Sequence, residues 1–233
     1  MNTPCPLCHK TGDHIRLTGP LHRTYWMCGR CKLIFVGRDG LPDPGAEKAR
    51  YLTHKNGPQY PGYVNFLNRA IRPALPHIPV GARGLDYGCG PVPTLSTLLK
   101  RTGRTCKDYD PFFFPELPEG PFDFIFSTEC LEHFFDPARE MQTLCRLLNS
   151  GGVLTIMTEI WHHERDFREW YYPKDPTHVC FYHSDTIDYL SSRYGFQQVW
   201  SDRQRVFVLK KRESPDTHNT GIRHGDRVES GKS

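Results

Sequence analysis

The stretch Gly84-Leu85-Asp86-Tyr87-Gly88-Cys89-Gly90-Pro91 constrains this chain more than any other. A short apolar run enters a pair of glycines, and residues 94–100 then continue with helical patterning. That is a buried strand, a tight turn and a helix, the opening unit of a nucleotide-binding α/β fold. Glycines there let the backbone turn sharply and approach a ligand closely. The turn departs from a dinucleotide fingerprint in two ways. Asp86 stands just ahead of the first glycine, where its carboxylate would repel a pyrophosphate at the helix N-terminus. The three-glycine fingerprint is also absent, since Val92 and Pro93 follow Gly90 and Pro91. The expected ligand is therefore cationic.

A second acid narrows it. Residues 105–110 read as the next strand and end in Tyr109-Asp110-Pro111, with Asp110 lying 20 residues beyond Gly90. This is where such folds place the carboxylate that accepts both ribose hydroxyls. A ligand that joins a sulfonium and an ammonium group to a ribose satisfies both acids, and S-adenosylmethionine (SAM) is that ligand. Only 11 residues then separate Asp110 from the strand at 122–127. That is too few for another helix and strand. Residues 112–119, with three phenylalanines and two prolines, read as an extended segment in their place. They line the adenine pocket or pack in the core. The strand at 122–127 delivers Thr128-Glu129-Cys130-Leu131-Glu132-His133-Phe134 to its C-terminal end, where ligands of open α/β sheets bind. Asp136-Pro137 opens a helix as N-cap and first-turn residue, Asn149-Ser150-Gly151-Gly152 stops it, and residues 153–157 form the following strand. Such alternation builds a parallel sheet.

The N-terminal region has a different character. Cys5-Pro6-Leu7-Cys8 and Cys28-Gly29-Arg30-Cys31 are two Cys-x-x-Cys knuckles 19 residues apart, the spacing of a structural four-cysteine zinc site. Residues 14–17, 23–27 and 31–36 supply three short strands. So small a module has little core, and metal binding would provide much of its folding free energy. Four thiolates close the tetrahedron, which makes Zn2+ structural here and not catalytic. An odd total of nine cysteines, four of them in these pairs, points to a reducing, cytoplasmic setting without a disulfide framework. Residues 1–40 hold six Lys/Arg against two Asp, a mild excess that four thiolates on zinc reduce further. No run of 18 apolar residues marks a membrane span, and the first residues lack the regions of a secretory signal.

Between these parts, residues 46–53 and 63–71 read as helices, the second ended by Pro73, Pro76 and Pro79 before the next strand. Tyr51, His54, Asn56, Tyr60 and Tyr63 gather there, so the segment either packs over the domain edge or forms a lid with His54, Asn56 and Tyr63 facing the ligand. The candidate bases are histidines, most of them after the strand at 153–157. His178, in the aromatic stretch 170–179, comes first, as base or substrate-orienting group, and His133 second. Glu164 is a weaker candidate, and the pair His162-His163 has no carboxylate spacing to support a second metal. The expected division is 1–37 ribbon, 38–80 linker and helical cap, 81–212 α/β domain and 213–233 a tail of disordered composition.

The motifs Leu85-Asp86-Tyr87-Gly88-Cys89-Gly90, Tyr109-Asp110-Pro111, Phe122-Asp123-Phe124-Ile125, Glu129-Cys130-Leu131-Glu132-His133 and Leu148-Asn149-Ser150-Gly151-Gly152 together resemble those of class I SAM-dependent methyltransferases. The resemblance covers about residues 81–210. It is nearest to the branch of small-molecule enzymes such as the ubiquinone-biosynthesis O-methyltransferases, among bacterial members with an N-terminal zinc ribbon. It implies a Rossmann-like, seven-stranded, mostly parallel sheet with an antiparallel last hairpin, supplied here by residues 197–202 and 206–210. It also implies that Gly88 and Gly90 wrap the methionine part of SAM, that Asp86 meets its amino group, that Asp110 holds the ribose, and that Thr128 and Glu129 lie near the donor.

Three functions fit this reading. The first is a methyltransferase for a small-molecule acceptor. The second is an rRNA or tRNA methyltransferase gripping RNA through the ribbon, against which stand the ribbon's small charge and the lack of an Asn-Pro-Pro-Tyr-like motif. The third is a SAM-binding module without catalysis. The oligomeric state has no signature in the sequence.

Overall fold

Each α/β unit is set by where its apolar residues fall. The computed structural model describes residues 3–54, 56–162 and 167–213. In chain order the elements are β1 (His14–Thr18), β2 (Thr24–Cys28), β3 (Ile34–Val36), α1 (Pro44–Tyr51), α2 (Pro61–Ala74), β4 (Arg83–Tyr87), α3 (Thr94–Lys100), β5 (Thr105–Tyr109), β6 (Phe122–Thr128), α4 (Pro137–Leu147), β7 (Leu148–Met157), β8 (Cys180–Phe181), α5 (Ser184–Tyr194), β9 (Phe196–Ser201) and β10 (Val206–Lys211).

The main sheet runs β5-β4-β6-β7-β10-β9. Strands β4 to β7 are parallel, and β10 is antiparallel to both of its neighbours. Among the described residues the sheet has six strands, not the seven that the family resemblance implied. The short interval after Asp110 is the reason. Its chain turns back at once, Phe114 bridges to Asp110, and no strand is added beyond β5.

Two apolar layers enclose this sheet. On one face Leu67 and Ile71 of α2 and Leu95 and Leu99 of α3 pack with Phe124, Phe126, Val206 and Val208. On the other, Met141 and Leu144 of α4 and Ile187 and Leu190 of α5 pack with Ile125, Leu154, Ile156 and Phe207. Alternation along β6, where 124 and 126 face one way and 125 the other, is the period-two signature of a strand covered on both sides. Asp136 caps α4 by accepting from the Arg139 N–H at 3.1 Å, and Pro137 occupies its first position.

Two boundaries differ from expectation. Helix α2 runs through Pro73 to Ala74, because the hydrogen bond that proline forfeits falls in the final turn. Strand β7 begins at Leu148, before the expected stop. Leu148 pairs with Phe122 and Val153 with Phe124, so the Asn-Ser-Gly-Gly segment is a bulge within the strand, with Gly151 at φ 72°.

The N-terminal strands form a second sheet, β1-β2-β3-β8. Its last strand comes from residues 180–181, with Ile34 opposite Phe181 and Phe35 opposite Cys180. Buried Leu7, Leu33, Ile34 and Phe35 join the α4–α5 side of the core. The Trp161 indole N–H adds a bond to the Lys32 carbonyl at 3.2 Å. Among the described residues no helix is long and apolar enough to cross a membrane.

Candidate active site

A cavity of about 580 Å³ opens at the C-terminal ends of β4, β5 and β6, within the usual size range of small-molecule sites. Asp86, Gly88, Gly90, Asp110, Thr128, Glu129, His133 and His178 all line it. Glu47 and Tyr51 of α1, His54 and Asn56 of the link, and Tyr63 of α2 complete the wall, so the connecting segment both packs on the sheet and faces the cavity.

At one end three carboxylates meet. Asp86 ends up only 2% exposed because β4 is the buried strand, and its Oδ1 has no hydrogen-bond partner. Asp108 stands opposite it on β5, with its own Oδ1 unpartnered. Burial, then the charges of Asp108 and Asp110, push the Asp86 carboxyl well above its ordinary range. Asp110 is arranged differently. Its Oδ2 accepts from the Gly90 N–H at 3.1 Å, and its Oδ1 accepts from Phe112 and Phe113 at 2.9 and 3.2 Å. One of the roughly four acceptor sites of a carboxylate is left for a ligand. This acid therefore also ties the two ligand turns together. Gly88 and Gly90 sit at φ 86° and 67°, where side chains are disfavoured. A Cβ on Gly88 would lie 2.3 Å from the Cys130 sulfur, whereas one on Gly90 would enter open space at the cavity wall. The donor set suits a cation beside a ribose: one buried carboxylate without a partner, one with a free lone pair, and a backbone cradle.

At the other end two histidines face each other, ring centres 4.8 Å apart. His133 Nδ1–H donates to the Thr177 carbonyl at 3.0 Å and His178 Nδ1–H to the Tyr172 carbonyl at 2.8 Å. A carbonyl only accepts, so each ring carries its proton on Nδ1 and keeps the Nε2 lone pair. Burial, then neighbouring His133, push His178 down to about 3, and burial lowers His133 too. Both rings are neutral bases at neutral pH. Glu132, fully buried, accepts from Tyr172 at 2.5 Å and Thr158 at 2.8 Å. Glu132, His133 and His178 offer atoms within 4.8 Å of one another, with the Glu132 carboxylate already engaged by the two hydroxyls.

Glu129 adopts φ 48° at the end of β6. Burial and Glu132 push its carboxyl up to about 8, against the pull of Arg205. Neither Arg205 nor Glu132, Tyr172 and Glu159 had a role assigned from sequence. Arg205 follows the β9–β10 turn in Asp202-Arg203-Gln204-Arg205, where nothing local separates it from Arg203. His162 lies in a different, polar groove with Arg69 and Arg203, and belongs to no metal-ligand group among the described residues. His163, Glu164 and residues 214–233 of the expected tail lie outside the described residues.

In the ribbon the four cysteines are buried and unpaired by disulfide, with Sγ atoms within 4.8 Å of one another. Cys5–Cys31 and Cys8–Cys28 stand at 3.6 and 3.5 Å, near the ~3.8 Å edge of a tetrahedron with 2.3 Å zinc–sulfur bonds. The cage fits zinc.

Residues 60–201 match the family model described as a methyltransferase domain. No curated protein matches the chain. Among solved structures, the 1,6-didemethyltoxoflavin-N1-methyltransferase of Burkholderia thailandensis, with bound 1,6-didemethyltoxoflavin and S-adenosylhomocysteine, is similar in fold. Its TM-score is 0.54 at 15% identity, over 85% of this chain and 99% of that one. A SAM-dependent methyltransferase from Archaeoglobus fulgidus aligns at TM-score 0.48 and 17% identity, over 63% of this chain and 94% of that one.

Proposed function

The chain belongs to the methyltransferase-domain family and is a SAM-dependent methyltransferase, and we propose that it methylates a small-molecule acceptor bound between α1 and the His133–His178 corner. The observation that carries this reading is the unpartnered, buried Asp86 carboxylate facing the cavity just ahead of the glycine turn. SAM supplies an already activated methyl group. Asp86 meets its ammonium, Gly88 and Gly90 give its methionine part close backbone approach, Asp110 accepts from its ribose, and Thr128 and Glu129 stand near the donor.

Positioning does much of the work in such a transfer, with a base needed where the acceptor must lose a proton. His178 is that base or orienting group, with His133 beside it, since both line the cavity and each has its Nδ1 committed to a main-chain carbonyl, which leaves Nε2 as the open nitrogen. The cavity, walled on one side by residues of the cap at 38–80, is of small-molecule size, which favours a small acceptor over RNA. The likeness to the ubiquinone-biosynthesis branch rests on the sequence motifs alone. The 1–37 ribbon holds one structural Zn2+ through Cys5, Cys8, Cys28 and Cys31, the 81–212 domain carries the chemistry, and the thiols suit a reducing cytoplasm.

The test is calorimetry on Asp110→Ala, which abolishes SAM binding if Asp110 holds the ribose; unchanged affinity would overturn the assignment. A screen of cell extract with radiolabelled SAM, using that variant as control, then finds the acceptor. Labelled RNA, or no labelled acceptor at all, would replace the small-molecule reading with one of its rivals.

A further inference from the structure

Residues 172–181 form a strap that carries His178, and they are gripped from two sides at Asp175. Arg50 of α1 donates from Nε and Nη2 to one carboxylate oxygen of Asp175, at 3.0 and 2.8 Å. The other oxygen accepts from the Thr177 N–H and hydroxyl at 3.0 and 2.7 Å. Arg23, just before β2 in the ribbon, reaches the strap's main chain. Its Nη1 donates to the Pro176 oxygen at 2.8 Å, and its Nη2 to the oxygens of Asp175 and His178 at 3.3 Å each.

Arg23 has no carboxylate partner among the described residues, and the residue as a whole is half-buried. Its two terminal nitrogens, held against three main-chain oxygens of one short loop, set the path of that loop, while Nη1 also reaches the Gly40 oxygen at 3.5 Å and Nε has no partner. Further along, the Val36 N–H donates to the Val179 oxygen at 2.9 Å from the ribbon side. From the site side, the Val179 N–H donates to the Glu132 oxygen at 2.8 Å. The strap is thus a layer between ribbon and cavity.

We propose that Arg23 and Arg50 are positioning residues that act through Asp175 to hold His178 with Nε2 toward the cavity, which makes the ribbon and the cap parts of the acceptor site. The His178 N–H donates to the Asp175 oxygen at 3.2 Å, so the clamped residue and the histidine share one turn. Beyond that turn, His178 faces His133 and Glu132 from the motif loop and the ring of Tyr172. Freed from the clamp, the turn opens, the Nδ1–H bond to Tyr172 is lost, and the imidazole gains access to water.

The inference takes its catalytic meaning from the reading of His178 at the acceptor end, while its test needs no acceptor. Hydrogen exchange and histidine NMR titration are recorded on the full chain and on Arg23→Lys and Arg50→Ala. Lysine keeps the charge but replaces a planar fork by a point charge. Exchange across residues 172–182 is expected to rise about tenfold, the loss of roughly one hydrogen bond's protection. The His178 midpoint moves up from about 3 toward the ordinary value of about 6.5. SAM affinity and exchange across residues 84–92 stay as they were. The proposal is overturned if both variants leave the strap's exchange and the His178 midpoint unchanged, or if exchange rises equally everywhere. Failure of the donor-site reading shows separately, as wild-type protein that does not bind SAM.

Discussion

Arg205 reaches both carboxylate oxygens of Glu129 through a single guanidinium nitrogen, at 2.8 Å each. Its other terminal nitrogen bonds Glu159 and the Tyr171 hydroxyl. Glu129 holds a left-handed φ of 48°, a conformation that costs a non-glycine residue on the order of 1 kcal/mol or more unless its surroundings enforce it.

Above pH 8, where the raised Glu129 carboxyl is ionised, Arg205→Ala therefore leaves the carboxylates of Glu129 and Glu159 facing each other without a cation. For a fully buried pair the loss is about 3–5 kcal/mol. With the Glu129 side chain 30% exposed, about 2–3 kcal/mol is expected. Urea unfolding measures it, and Arg205→Lys should restore part of the loss. A variant as stable as the wild type would show that Arg205 does not hold this corner together.

Asp86→Asn should stabilise the ligand-free protein while weakening SAM binding at least about tenfold. A carboxyl raised in the folded state binds its proton more tightly there than in the unfolded chain. Stability of the empty protein therefore falls as pH rises from about 3.9 through the raised value. Asparagine removes that slope and at neutral pH adds on the order of 1–3 kcal/mol. Thermal melts across pH 4 to 8 read both effects; a destabilised variant would mean that Asp86 is not an uncompensated charge.

His178 gives the opposite slope. Its folded value of about 3 lies below the unfolded value of about 6.5, so the unfolded chain takes up the proton first. Its contribution is complete above pH 6.5 and is lost as pH falls toward 3. His178→Asn should flatten the acid limb of the stability curve between those limits. An unchanged limb would place the imidazole in water.

Metal analysis of the purified chain should find one zinc, and Cys28→Ser should lower both zinc content and melting temperature. The ribbon's buried side chains belong to the α4–α5 core, so its loss exposes that core. Protein that folds to the same stability without zinc would refute the structural role.

The glycine turn, the acid after β5, the α4 cap and the cysteine cage were all legible, because each is a local pattern with a local physical cause. The missing strand was legible too, in the 11 residues after Asp110, although the family resemblance pointed elsewhere. The β7 bulge was not, since Asn-Ser-Gly-Gly reads the same as a stop or as a kink within a strand. Arg23, Arg50 and Arg205 were beyond reach for another reason. An arginine's partners are set by tertiary folding, and these three find theirs 152, 125 and 76 positions away. His133 and His178 stood out as residue types, but only the carbonyls opposite their Nδ1 atoms reveal which nitrogen holds the proton.

Strand β8 enters the N-terminal sheet after about 140 intervening residues, which gives the protein an order of assembly. While the chain leaves the ribosome, Ile34–Val36 is an edge with no partner on one side until residues 180–181 appear. A cysteine knuckle can close on metal early, but its sheet is finished among the last events, once most of the α/β domain has been made. Truncation anywhere before residue 180 would therefore leave an exposed apolar edge at the front of the chain, and fusion partners placed there would meet a surface that is sealed only from the far end.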